Sequence, residues 1–154
     1  MKQTTTFTAL GAAAAVAALA VLVVRDARSQ DAKPLSEVIR SVEDQQLGPI
    51  TGVDFERGRW EVEVFKDGRK TTLYLDPATG KVDRRRERPD SHEDLPPANA
   101  KPLSDIVRSV ETRNLGRIRE VDYDDDGYWE VKVRGNGVKS ELHIDAVSGE
   151  ARAR

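Results

Sequence analysis

The sequence predicts an α+β protein made of two tandem repeats, each with one helix packed on a three- to four-stranded antiparallel sheet. Residues 32–43 (AKPLSEVIRSVE) return as residues 100–111 (AKPLSDIVRSVE), at an offset of 68 that becomes 69 after residue 122. In both copies the apolar residues first follow helical spacing and then alternate as in a half-buried strand. A self-match of this length defines the structural unit.

Each copy begins with an amphipathic helix, predicted at residues 34–47 and 102–115. One face carries the same apolar pattern in both copies: Leu35, Val38, Ile39, Val42 and Leu47, then Leu103, Ile106, Val107, Val110 and Leu115. Pro34 and Pro102 suit the first helical position, where no amide proton is needed, and Gly48 and Gly116 suit a left-handed cap at the end.

The strands of the first copy are predicted at residues 50–56, 60–64, 70–76 and, as a short fourth strand, 81–85. Trp60, Val62 and Val64 alternate with glutamates, so one face of that strand is buried, and Trp60 and its equivalent Trp129 are core residues. Asp-Gly and Asn-Gly pairs at residues 67–68 and 136–137 are typical of tight hairpin turns.

Charged residues and prolines at residues 84–99 predict a solvated linker, so the domains span residues 32–83 and 100–154. Arg84, Arg85 and Arg86 resemble a basic motif. Nearby acidic residues balance them, which favours a solvated strand edge or linker.

Residues 1–31 have the pattern of an export signal, with Lys2 before an uncharged run at residues 7–24 that ends at Arg25. The run is long enough to span a bilayer, so it is either cleaved, for instance after Ala20, or kept as an anchor. Both alternatives place the repeats outside the cytoplasm, as a periplasmic or secreted protein or one tethered to the inner membrane.

Composition excludes several classes of function. A formal net charge of −2 gives no electrostatic reason to expect nucleic acid as a partner. The absence of cysteine removes thiol catalysis and zinc–cysteine sites. The two histidines, His92 and His143, are too few and too far apart in sequence for a metal site or a nucleophilic triad. We therefore predict no enzyme and no cofactor.

The motifs Trp60-Glu-Val-Glu-Val64, Asp67-Gly68 and Asp76-Pro-Ala-Thr-Gly80-Lys81-Val82 resemble the PepSY domain. The resemblance covers residues 35–82 and 103–151, and the second copy departs from the pattern at Ala146, Val147 and Glu150. It implies an exported, non-enzymatic domain that binds or restrains peptidases, and it supplies no catalytic positions. The expected partner is therefore a protein, plausibly a peptidase, and the membrane is contacted only through an uncleaved N-terminal segment.

Residues 122–127 (DYDDDG) match the first half of a calcium loop, with Asp122, Asp124 and Asp126 as the candidate ligands. The full loop needs a bidentate glutamate at its twelfth position, which here is Val133. An acidic hairpin turn is therefore favoured, and a small envelope cation-binding or stress protein is the alternative function.

The outward strand faces are the predicted partner-binding surface. Its candidate residues are Glu61, Glu63 and Tyr74 in the first copy and Glu130, Lys132, Glu141 and His143 in the second. Ser36 and Ser104 are predicted to be ordinary helix-surface positions. Whether the two repeats pack together is left open by the sequence.

Overall fold

The computed structural model describes residues 32–90 and 94–152. These two ranges form two helices and one eight-stranded antiparallel sheet, which confirms the predicted α+β class. The elements in chain order are α1 (Leu35–Glu43), β1 (Ile50–Glu56), β2 (Arg59–Lys66), β3 (Arg69–Leu75), β4 (Val82–Pro89), α2 (Leu103–Glu111), β5 (Arg117–Tyr123), β6 (Tyr128–Gly135), β7 (Val138–Asp145) and β8 (Ala151–Arg152). The predicted export signal and His92 lie outside the described residues. Within the described ranges, no helix is long and apolar enough to cross a membrane.

The two copies share one sheet, whereas the sequence predicts a sheet for each. The strand order is β4-β3-β2-β1-β5-β6-β7-β8, and β1 pairs with β5 at the centre. Val53 lies opposite Val121, its own equivalent in the second copy, so an approximate twofold axis passes through this seam. The pairing of β1 with β5 gives hydrogen-bond partners to backbone groups that two separate sheets would leave exposed. It also enlarges the core, which would be thin in either copy alone.

The core is a single hydrophobic cluster on one face of the sheet. The apolar faces of both helices join the inward residues of the strands there, among them Val62, Leu73, Val131 and Ile144. Trp60 and Trp129 are 8% and 1% exposed, as their place in the alternation predicts. Neither α1 nor α2 packs on the opposite face, which we call the helix-free face.

The helices end four residues earlier than the spacing predicts, at Glu43 and Glu111. The left-handed residues that follow them are Gln46 (φ 52°) and Asn114 (φ 53°). Gly48 has another role, because a Cβ added there would lie 2.2 Å from the Phe65 carbonyl oxygen. A close approach of two backbones therefore requires this glycine.

β4 runs through Pro89 and so includes the first six residues of the predicted linker. It pairs with β3 along its length and forms one edge of the sheet. An arginine-rich segment is compatible with such a strand because an edge strand tolerates charge on both faces. The predicted hairpin turns are present, with positive φ at Asp67, Gly68, Asn136 and Gly137.

Ser36 and Ser104 are not surface positions: they are 3% and 0% exposed. They lie between α1 and α2. The two helices are antiparallel, so the start of each one contacts the end of the other. The sequence does not show this contact, since it joins residues of different copies.

Candidate interaction surface

The helix-free face of the sheet holds all the predicted partner-binding residues in two groups. Glu61 lies opposite Tyr74 on β2 and β3, and Glu130 lies opposite His143 on β6 and β7. Glu63 and Lys132 follow in register on the same face, and these six residues are half-buried. Glu141, the seventh, lies opposite Lys132 and is exposed. β1 and β5 separate the groups, so the two predicted surfaces form one continuous face.

Between the groups lies the acidic seam, which we define as Asp54, Glu120 and Asp122. Asp54 is opposite Glu120, and Asp122 is opposite Gly52. A Cβ added to Gly52 would come within 3.1 Å of the Asp122 Oδ1 atom, so the glycine makes room for this carboxyl group. The seam does not follow from the sequence, because the three side chains meet only when β1 and β5 pair. The one available signal was the repetition of Val-Asp at residues 53–54 and 121–122.

The seam carboxyl groups have strongly perturbed acidities. Burial raises the pKa of Asp122 to about 7, and the hydrogen bond to Glu120 and the charge of Glu120 add to the effect. The same hydrogen bond, with one from Lys132, lowers the pKa of Glu120. Burial and then the charges of Glu56 and Glu120 raise the pKa of Asp54. Of the three seam groups, Asp122 is therefore the one whose charge changes near neutral pH.

Lysines neutralise several of the predicted contact residues from within the sheet. The Lys132 Nζ atom lies 2.6 Å from Glu120 Oε1 and 2.9 Å from Glu130 Oε1. These carboxylates raise the pKa of Lys132. Lys70 Nζ lies 2.9 Å from Glu63 Oε2. Glu61 makes no ion pair with any residue in the described ranges, which leaves its charge most available to a partner.

His143 stands beside two carboxylates that the sequence did not connect to it. Its Nε2 atom is 2.9 Å from Glu141 Oε1, and the ligand-type atoms of Glu130, Glu141 and His143 lie within 4.8 Å of one another. Such a set of side chains can hold a divalent metal ion. The Lys132 ammonium group, in contact with Glu130, already supplies one positive charge there.

The acidic turn between β5 and β6 does not assemble the calcium-loop ligands. Asp124 and Asp126 lie in the exposed turn, whereas Asp122 lies on β5 and is hydrogen-bonded to Glu120. Val133, at the twelfth position, is 2% exposed in the core. The turn itself is closed by a hydrogen bond from the Asp124 N–H to the Tyr128 carbonyl oxygen at 2.9 Å.

A row of arginines borders the face at β4. Arg84, Arg86 and Arg88 occupy alternate positions opposite Tyr74, Thr72 and Lys70. The Arg84 guanidinium carbon lies 5.0 Å from the centre of the Tyr74 ring. The face is therefore basic at this edge and acidic at its centre.

Two family models match the chain. PepSY_2, described as peptidase propeptide and YPEB domain, matches residues 4–86, and PepSY, with the same description, matches residues 105–154. The fold is similar to the crystal structure of a predicted lipoprotein from Clostridium difficile 630, with 16% sequence identity and a TM-score of 0.50 over 82% of this chain and 95% of that chain. At this identity the likeness concerns the fold alone. A search of curated proteins finds no match.

Proposed function

Because the chain belongs to the PepSY family of peptidase propeptide and YPEB domains, we propose that it is an exported, non-enzymatic protein that binds and regulates another protein of the cell envelope. A peptidase is the expected partner. One PepSY unit consists of α1 and β1–β4 and the second of α2 and β5–β8. Residues 1–31 would supply the export signal or an anchor.

The helix-free face is the observation that carries this proposal. It is a broad and open surface on which charged and aromatic side chains are half-buried and held in register by the strands. A face of this kind suits docking of a protein surface, whereas catalysis needs an enclosed site that excludes water. Its acidic centre favours a partner surface with positive charge.

The experiment is an inhibition and binding assay with a secreted metallopeptidase and the purified full chain. We expect saturable binding and reduced peptidase activity. Glu61→Lys should weaken binding, because this carboxylate has no ion pair within the described residues and its reversal disturbs no internal lysine. Arg113→Glu, an exposed change beyond the end of α2, is the control. Full peptidase activity at saturating chain, with no binding to any envelope peptidase tested, would contradict the proposal.

Cation binding is a second candidate function, and the group formed by Glu130, Glu141 and His143 is the observation that favours it. Titration with Zn²⁺ by calorimetry tests it. His143→Ala should abolish any site-specific heat, while Tyr74→Ala, the equivalent change in the first copy, should leave it unchanged.

The acidic turn is tested separately with calcium. The melting temperature is expected to stay within about 1 °C in millimolar calcium, since a bound ligand would raise it by several degrees. A rise that disappears in Asp124→Asn/Asp126→Asn would instead assign calcium to the turn.

A further inference from the structure

Two equivalent clefts lie on the helix side of the sheet, one beside Trp60 and one beside Trp129. Each is bounded by the start of one helix and by residues of the other copy. The equivalent pairs are Trp60 and Trp129, Pro34 and Pro102, Leu35 and Leu103, Ile118 and Ile50, and Glu111 and Glu43. The chain therefore builds the same cleft twice.

The two clefts differ in the described residues that line them. Leu95, Pro96 and Pro97, from the segment between the copies, line one side of the cleft beside Trp129, and Leu95 keeps 41% of its surface exposed there. The equivalent positions in the first copy, residues 27–29, read Ala-Arg-Ser and contain no leucine or proline. Consistent with this difference, Trp129 is 1% exposed and Trp60 is 8% exposed.

The backbone directly before each helix is held in the same way in both copies. The Lys101 N–H donates to the Ala146 carbonyl oxygen at 2.8 Å, and the Lys33 N–H donates to the Pro77 carbonyl oxygen at 3.0 Å. Pro77 and Ala146 are themselves equivalent residues. The second cleft thus gives one example of a segment that lies along a cleft of this kind.

The cleft beside Trp60 has an apolar floor and a basic rim. Phe55 and Trp60 meet edge to face with ring centres 4.8 Å apart. Lys33, Arg117 and Arg119 lie around them, and Glu111, the one acidic residue among the described lining residues, is hydrogen-bonded to Ser36. The volume is about 290 Å³, which is enough for one or two side chains and small for a cofactor.

We propose that the cleft beside Trp60 binds an extended Leu-Pro-Pro segment of the partner protein, preceded by an acidic residue. Its Leu-Pro-Pro part would take the place that residues 95–97 hold in the second copy, and its acidic residue corresponds in sequence to Asp94. Proline-rich segments lose little entropy on binding, because they are already extended, and they commonly dock on aromatic grooves. The basic rim favours the acidic residue. The inference rests on the proposed binding function and adds the chemistry of the partner.

The probe is a fluorescein-labelled peptide with the sequence of residues 94–100, Asp-Leu-Pro-Pro-Ala-Asn-Ala, titrated with the purified full chain. We expect saturable fluorescence anisotropy that the unlabelled peptide reverses. A peptide with serine in place of leucine should bind at least about tenfold more weakly, since an apolar side chain leaves the cleft. Arg117→Glu should weaken binding about two- to fivefold, as expected for an exposed charge pair, and the control Arg113→Glu should not.

Nuclear magnetic resonance locates the binding. The two tryptophans give two indole N–H signals, and the peptide should shift the Trp60 signal and leave that of Trp129 in place. Absence of saturable binding, or a shift confined to Trp129, would overturn the inference. Peptidase binding that persists without peptide binding would reject the cleft and retain the proposed function. Peptide binding without peptidase binding would retain the cleft and reject the proposed function.

Discussion

Glu111, the last residue of α2, accepts two hydrogen bonds from Ser36 at the start of α1, from its N–H at 3.3 Å and from its hydroxyl at 2.6 Å. The relationship is repeated, because Glu43 at the end of α1 accepts a hydrogen bond from the Ser104 N–H at 3.2 Å. The first N–H groups of a helix have no partner within the helix, and its N-terminus attracts negative charge. Each copy therefore caps the helix of the other.

Loss of this capping should destabilise the whole protein. Glu111→Ala or Glu43→Ala should each lower the free energy of unfolding by about 1–2 kcal/mol, the usual cost of removing a helix cap. Urea denaturation measures it, and Glu56→Ala, an exposed change on β1, is the control. Glu111→Gln should restore part of the loss because it keeps an acceptor. Equal stability of Glu111→Ala and the control would contradict the capping.

The acidic seam should make stability fall as pH rises towards neutrality. Asp122 binds its proton more tightly in the folded chain than in the unfolded chain, where its pKa is near 3.8. Its contribution to stability is therefore complete below pH 3.8 and is lost as pH rises to about 7. Burial raises the pKa of Asp54 and Glu61, which act in the same direction.

Asp122→Asn tests this dependence. Between pH 4 and 7 the free energy of unfolding of the variant should fall less steeply than that of the unaltered chain. The lowered pKa of Glu120 acts in the opposite direction, because its contribution is lost as pH falls below its usual range. Parallel curves for the two proteins over this window would contradict the role assigned to Asp122.

The two copies should behave differently when separated. Residues 32–90 alone expose the edge of β1, and two such fragments can reproduce the seam with Val53 facing Val53 and Asp54 facing Gly52. Residues 100–152 would instead place Glu120 opposite Asp122 on both sides of the axis, which like charges oppose. Light scattering should therefore find a dimer of the first fragment and a monomer of the second at neutral pH. A monomeric first fragment with cooperative unfolding would support the independent folding expected from the repeat alone.

The arginines of β4 should protect an exposed strand edge from self-association. Charged side chains on an edge strand oppose pairing with a second edge. Arg84→Thr/Arg86→Thr should increase association of the full chain, measured by light scattering against concentration. The matched control is Arg113→Thr/Arg134→Thr, which removes the same charge elsewhere on the surface. Equal association of the two variants would mean that net charge, and not the charge on this edge, prevents self-association of the chain.

The sequence by itself determined the local structure. The spacing of apolar residues predicted both kinds of element. A period of three to four residues, as in Leu35, Val38, Ile39 and Val42, indicated the helix, and the alternation after Trp60 indicated the strand. The turn at Asp67-Gly68 followed from the backbone angles those residues accept. The same pattern identified the outward residues, such as Glu61 and His143, since a strand must point alternate side chains away from the core.

Tertiary structure alone decided how the copies combine. The pairing of Val53 with Val121, the acidic seam and the capping of Ser36 by Glu111 join residues about 66 to 75 positions apart, and no local periodicity records such contacts. The cause is the edge that each copy leaves unpaired. Pairing of the copies gives the free N–H and C=O groups of β1 and β5 hydrogen-bond partners, and it enlarges the thin core of a single unit. That pairing fixes the position of every group on the shared face.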